Sequence, residues 1–332
     1  MIHLRIVAPE DVSHQALEVL TAAPSVLNIV HLHGAATKPD GDVILCDVAR
    51  EDASVIIGDL KELGIPKSGS IAVEHIDTSI SDAAVAAEKA APGLPSDAVV
   101  WEEVEGRTSE DTELSFSFVL FMVAAMQIAA VGIILDQTIL IVGAMVVGPE
   151  FGPLAGLCVA LVNLQAGLAR RSLRALALGF PVGIAGALLT TLVMRGIDVF
   201  PEDFSQAGHP FTAFISSPDF LSFFVAFVAG SAGMLSLTSA KSGALVGVLI
   251  SVTTIPAASN IGVAAAYGDW SEARGAALQL GLNLAGIILA GVLTLFVQRR
   301  WYVMRRRKHL KEPSRRAAGL PVGRSARKAK SG

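Results

Sequence analysis

The chain is short of cysteine and of charge, and each shortage excludes something. Cys46 and Cys158 are the only cysteines among 332 residues, so no disulfide framework can organise the fold, which suits a reducing compartment. Charged residues make up 17% of the chain against 52% hydrophobic ones, and the mean hydropathy of +0.57 is too high for a wholly soluble protein. Walker A, dinucleotide-binding and zinc-protease motifs are missing. Tyr267-Gly268-Asp269 lacks the companion aspartate that an intramembrane aspartyl protease needs. No catalytic residue, metal or cofactor is therefore assigned, and an enzyme is not expected.

What is present divides the chain by polarity. Residues 1–113 have ordinary polarity and the rest is dominated by apolar runs, so a soluble module is joined to a membrane domain. Within residues 1–80, strand-like 2–8, helical 10–22, strand-like 25–32, strand-like 42–48, helical 51–63 and strand-like 69–76 follow each other as βαββαβ. That order predicts a ferredoxin-like α+β domain. His3, His31, His33 and His75 are expected at one rim of its sheet, but Cys-x-x-Cys and His-Glu-x-x-His are absent, so no metal is assigned to them. Residues 81–113 read as an acidic linker with a short helix at 82–91, and with Trp101 as an anchor at the headgroup level.

Six transmembrane helices are predicted at 114–135, 138–162, 173–195, 219–239, 243–267 and 276–298, within a membrane domain of residues 114–298. Arg170, Arg171 and Arg174, then Lys241, then the tail from Arg299 onward all fall on one side of such a bundle. Excess Lys and Arg marks the cytoplasmic side, so both termini are expected in the cytoplasm of a multi-pass protein of the bacterial inner membrane. Met1 to Glu10 contains no basic stretch leading into an apolar run, so no cleaved signal peptide is expected. Residues 299–332 read as a basic, disordered cytoplasmic tail that contacts anionic lipid rather than nucleic acid. The lipid bilayer is the expected partner, and self-association is left open.

One residue stands out within the apolar runs. Glu150, in Gly148-Pro149-Glu150-Phe151-Gly152-Pro153, lies about 18 Å into the second span at helical rise, near the middle of a hydrocarbon core about 30 Å thick. A carboxylate at that depth faces a bundle interior or a wet cavity and marks a pathway or ion site, or else a buried structural hydrogen bond. Pro149 and Pro153 also break the helix there. At an offset of 103, the difference between Pro153 and Pro256, the second half carries its own interruption: Thr253-Thr254-Ile255-Pro256, followed by Ser259 and Asn260. Arg171 and Arg274, and Gly183 and Gly286, repeat at the same offset. Three spans per half would invert one half relative to the other, as in many secondary transporters, with the site at the paired interruptions. Gln127 and Asn283 are further intramembrane polar candidates; Gln279, Asn163, Ser231 and Ser236 read more simply as helix-packing contacts.

The run Ile141-Val142-Gly143-Ala144-Met145-Val146-Val147-Gly148-Pro149-Glu150-Phe151-Gly152-Pro153, with Ala229-Gly230-Ser231-Ala232-Gly233 and Gly247-Val248-Leu249-Ile250-Ser251, resembles the bacterial membrane family known as domain of unknown function 389. The resemblance implies an integral membrane protein and supplies no substrate. Transport of a small solute or ion, with the soluble module as regulator, is the expected function. The rival is a non-transporting membrane scaffold or sensor whose module binds a ligand or partner. The charge asymmetry makes a direct prediction: reporters fused after Val104 and after Arg307 both report cytoplasm, and one between Gly196 and Ser217 reports the outside. Opposite locations for the two terminal fusions would require an odd number of spans.

Overall fold

The computed structural model describes residues 1–91, 93, 98–203, 211–239, 247, 250 and 252–322. The chain forms two compact units, Met1–Val104 with Gln298–Gly332, and Glu105–Val297.

In the first unit the elements run β1 (Ile2–Ala8), α1 (Glu10–Ala22), β2 (Val26–Thr37), β3 (Asp40–Val48), α2 (Arg50–Glu62), the single turn α3 (Ile65–Ser68) and β4 (Ser70–His75). All strand pairs are antiparallel, in the order β2-β3-β1-β4. Strand periodicity puts Ile2, Leu4 and Ile6 of β1 and Ile44, Cys46 and Val48 of β3 on one face, where they are buried with Ala16 and Leu20 of α1 and Ile56 and Leu60 of α2. Gly64, at φ +82, ends α2 in the left-handed conformation that an L side chain resists. Burial pushes the Cys46 thiol up to about 12, so it packs as a small hydrophobe rather than acting as a nucleophile.

The register corrects the expected histidine rim. Because β3 runs antiparallel to β1, the start of β1 lies beside the end of β3: Ile2 opposes Val48, and Ile2 also opposes His75. His3 and His75 therefore sit at one end of the sheet, while His31, opposite Ile44, lies toward the other. Two helices follow, α4 (Asp82–Ala90) and α5 (Trp101–Asp111). Trp101 is buried, with its ring 6.4 Å from that of Tyr302 and Arg299 over it at 5.6 Å, so it is not the exposed headgroup anchor expected from the sequence.

Residues 299–322 also depart from the expected disordered tail. A long helix runs to His309 and a short one covers Ser314–Ala317, and Arg305, Arg306, His309 and Arg315 on them are ion-paired to α2. Arg306 and Arg315 both reach Asp59 and Glu62, His309 Nε2 lies 2.7 Å from the other oxygen of Asp59, and Arg305 lies 2.6 Å from Asp52. Asp59 has no exposure at all. Around this cluster is a cavity of about 240 Å³ lined by residues of α1 and α2 together with Arg305, Lys308 and His309. Residues 323–332 lie outside the described residues.

In the second unit α6 (Phe116–Ile134) is followed by α7 (Thr138–Val147) and α8 (Phe151–Asn163), which meet at a 51° bend, and then by α9 (Ala166–Gly196). After these come α10 (Phe220–Thr238), α11 (Thr254–Tyr267) and α12 (Trp270–His309), the last of which leaves this unit at Gln298. Helices α6, α9, α10 and α12 are each long and apolar enough to cross a membrane, and the bent α7–α8 pair makes a fifth if it is one span. The expected span at 243–267 lies partly outside the described residues. Small residues let the helices approach: a Cβ at Gly262 of α11 would strike the Ile184 carbonyl of α9, and one at Gly183 would strike Met126 of α6.

The Asp59 cluster sets an expectation for stability. Burial works against the Asp59 carboxylate, but the hydrogen bond from His309 and the charges of Arg306 and Arg315 outweigh it and hold the group below its usual range. A depressed carboxylate stabilises the fold above its unfolded value of about 3.9 and loses that contribution as pH falls through the lower folded value. The unfolding midpoint of the purified chain should therefore hold down to about pH 4 and drop below it, and drop less in Asp59→Asn. Asp59→Ala should cost about 3–5 kcal/mol, because it strands buried cations. Thermal unfolding in detergent measures both.

Candidate functional site

The site begins at the break between α7 and α8. Helix α7 ends at Val147, Gly148 and Pro149 are not helical, and Glu150 precedes the first residue of α8. Pro153 occupies the third position of α8, within the first turn, where its missing N–H costs no hydrogen bond. The start of α11 is built in the same way. Thr253 precedes α11, Thr254 opens it, and Pro256 is again third. Both helices end on a left-handed residue, Leu164 at φ +57 and Gly268 at φ +75.

These two helix starts meet. Thr254 Oγ1 donates to Glu150 Oε1 at 2.6 Å, although 104 positions separate the residues. Glu150 is 4% exposed. Its carboxyl group makes no capping bond to its own helix and instead reaches the first turn of α11, so it stands where two helix N-termini place partial positive charge. Gly148 makes the room: a Cβ there would overlap Glu150 Oε2 and the Ile255 side chain. Beside the carboxylate is a cavity of about 10 Å³, lined by Glu150, Phe151, Leu154, Gly230, Val252, Thr254 and Ile287, with space for roughly one water molecule.

A second set of hydrogen bonds approaches from α12. Gln279 Nε2 donates to Asn283 Oδ1 at 3.4 Å, and Asn283 Nδ2 donates to Thr253 Oγ1 at 3.0 Å. Among the described residues, Glu150 Oε2, Gln279 Oε1 and Asn260 Oδ1 are buried without a hydrogen-bond partner. All three are acceptor oxygens.

Of the residues singled out in the sequence, Pro149, Glu150, Pro153, Thr253, Thr254, Pro256 and Asn283 fall at or beside this meeting point. Ser259, Asn260 and Gln127 are engaged elsewhere: Ser259 Oγ donates to the Met126 carbonyl at 2.7 Å, Asn260 Nδ2 to Glu272 Oε1 at 2.7 Å, and Gln127 Nε2 to Thr190 Oγ1 at 2.9 Å. Sequence reasoning missed Glu272, and it passed over Gln279 as a packing residue. The available signal was spacing: Gln279 and Asn283 are four apart on a helix and so share one face.

The geometry defines a helical membrane domain in which a broken helix pair, α7–α8, and the N-terminus of α11 share a buried carboxyl group. Residues 145–289 match the family described as Domain of unknown function (DUF389), so this segment carries that domain, as the Gly-Ala-Met to Gly-Pro stretch suggests. An uncharacterized protein of the archaeon Methanocaldococcus jannaschii is 24% identical over 203 residues, which span 59% of this chain and 58% of that relative. No solved structure matches the chain.

Thr254→Val keeps the shape of the side chain and removes its hydroxyl, leaving the Glu150 carboxylate without the donor that it has in α11. The expected cost is about 1–3 kcal/mol or more, since the deprived group is a carboxylate. A lowered unfolding midpoint in detergent reads this out, and Thr254→Ser should restore most of it.

Proposed function

We propose that this protein is a transporter of the bacterial inner membrane that carries or is coupled to a small cation. The reading takes six spans in two inverted halves, with both termini in the cytoplasm and a ferredoxin-like regulatory module. The observation that carries it is the meeting of the α7–α8 break with the N-terminus of α11 at Glu150 and Thr254, since transporters build binding sites at broken helices and helix ends. Support for the two halves comes from matching parts. Helices α6 and α10 each have 19 residues and are capped by a side chain, Ser115 and Asp219. The glycine pair Gly183 and Gly286 packs the third helix against the first in each half, on Met126 and on Ala226. Sheet order and element order support the ferredoxin-like reading of the module.

The choice of a cation follows from chemistry. The unpaired buried groups at the site, Glu150 Oε2 and Gln279 Oε1, are acceptor oxygens, so it favours a proton, a cation or a donor water over an anion. With room for roughly one water, the cavity fits a small ion or proton transfer better than an organic solute. Anionic lipid beside the basic C-terminal segment and the bilayer itself are the partners proposed.

Proteoliposomes containing the full chain should show sodium or proton flux, read by an internal indicator dye. Glu150→Gln, normally expressed and folded, should lower that flux at least tenfold and flatten its pH dependence. A wild-type flux and pH profile in Glu150→Gln would remove Glu150 from the mechanism. No flux of either ion through the wild-type protein would favour the scaffold or sensor reading instead.

A further inference from the structure

The soluble unit holds a cluster that transport does not use. His31, His33 and Asp42 each offer one ligand atom, and these atoms lie within 4.8 Å of one another, the only such grouping of potential metal ligands among the described residues. We propose that it is a binding site for a divalent transition metal of the zinc class.

Strand geometry makes the cluster unusual. Residues two apart on a strand share a face but stand about 6.6 Å apart at ordinary rise. The rings of His31 and His33 are instead 3.9 Å apart between centroids. A break in the β2–β3 register between Leu32 and Ala36, with Gly34 at φ +55, accounts for the difference, and bulges of this kind re-aim side chains beside functional sites. Two imidazoles brought this close would repel if both were protonated, whereas a shared cation gives both a partner.

Asp42 supplies the anionic ligand, and its surroundings fix it in place. Ser13 Oγ of α1 donates to Oδ2 at 2.6 Å and the Gly34 N–H to Oδ1 at 2.8 Å. With the bond from His31, these contacts orient both oxygens of the carboxylate. His31 Nε2 stands 2.9 Å and His33 Nδ1 3.7 Å from Asp42 Oδ2. Bonds of about 2.0–2.2 Å to a tetrahedral ion put its ligand atoms roughly 3.3–3.6 Å apart, between those two distances. A simple His–Asp hydrogen bond explains His31 but leaves the position of His33 unexplained. The His33 side chain is 69% exposed, so the site opens to solvent and leaves a coordination position for water, or for His14, whose ring is edge-on to His31 at 6.4 Å.

The test is calorimetric titration of zinc into the detergent-purified full chain with any histidine tag removed, repeated with cobalt, whose visible absorption reports tetrahedral nitrogen and oxygen ligation. One ion per chain is expected. His33→Ala, at an exposed position where folding is not at stake, and Asp42→Asn should abolish the cobalt spectrum. Ser13→Ala should weaken affinity roughly 10–100-fold, the effect of losing a group that orients a ligand. His3→Ala, at the other end of the sheet, should bind as the wild type does. Absence of binding to the wild-type chain, or unchanged affinity in His33→Ala, would overturn the assignment.

Discussion

A polar group inside a hydrocarbon layer has no water to turn to, and the second unit is organised around that constraint. Breaking a helix at Gly148 and Pro149 frees backbone groups and brings a carboxylate to the same depth. The structure answers with α11, whose first turn lies against the break. Thr254 supplies the hydroxyl, Gly148 supplies the space, and Thr253 is tied in turn to Asn283. The break is tolerable because the first turn of α11 meets it. The small residues of α9, α10 and α12 serve the same end by letting neighbouring helices come close.

The first unit meets a related constraint in the opposite way. Asp59 is buried in the α+β unit, where a lone charge would be costly, and it is surrounded by two arginines and a histidine. The first unit therefore relies on charges supplied from the C-terminal segment, and the second on one hydroxyl supplied from α11. In both units the residues that complete the arrangement are remote in sequence, by 247 positions between Asp59 and Arg306 and by 104 between Glu150 and Thr254.

That remoteness sets how much was legible beforehand. Strand alternation in Ile2–Ala8 and the apolar lengths of α6, α9, α10 and α12 are local patterns, and they could be read from the sequence directly. Glu150 stood out because depth in an apolar run is also a local property. The rim of the sheet was misread because it depends on which strand is antiparallel to which, a matter of pairing that periodicity does not carry. The basic C-terminal segment looked solvated because a run of Arg and Lys gives no sign of the carboxylates it meets on α2. Gln279 was set aside for a similar reason: its significance appears only once its amide is seen to donate to Asn283 and its oxygen to lack a partner.

The pairing of α2 with residues 305–315 also imposes an order on synthesis. The ribosome emits α2 early and Arg315 only after every membrane segment has emerged. Until then Asp59 and Glu62 lack the guanidinium groups that complete their surroundings, so the nascent module waits in an unfinished form. Its last step of folding follows membrane insertion, and a chain that stops short of Arg315 leaves the N-terminal module incomplete although every residue of its sheet has been made.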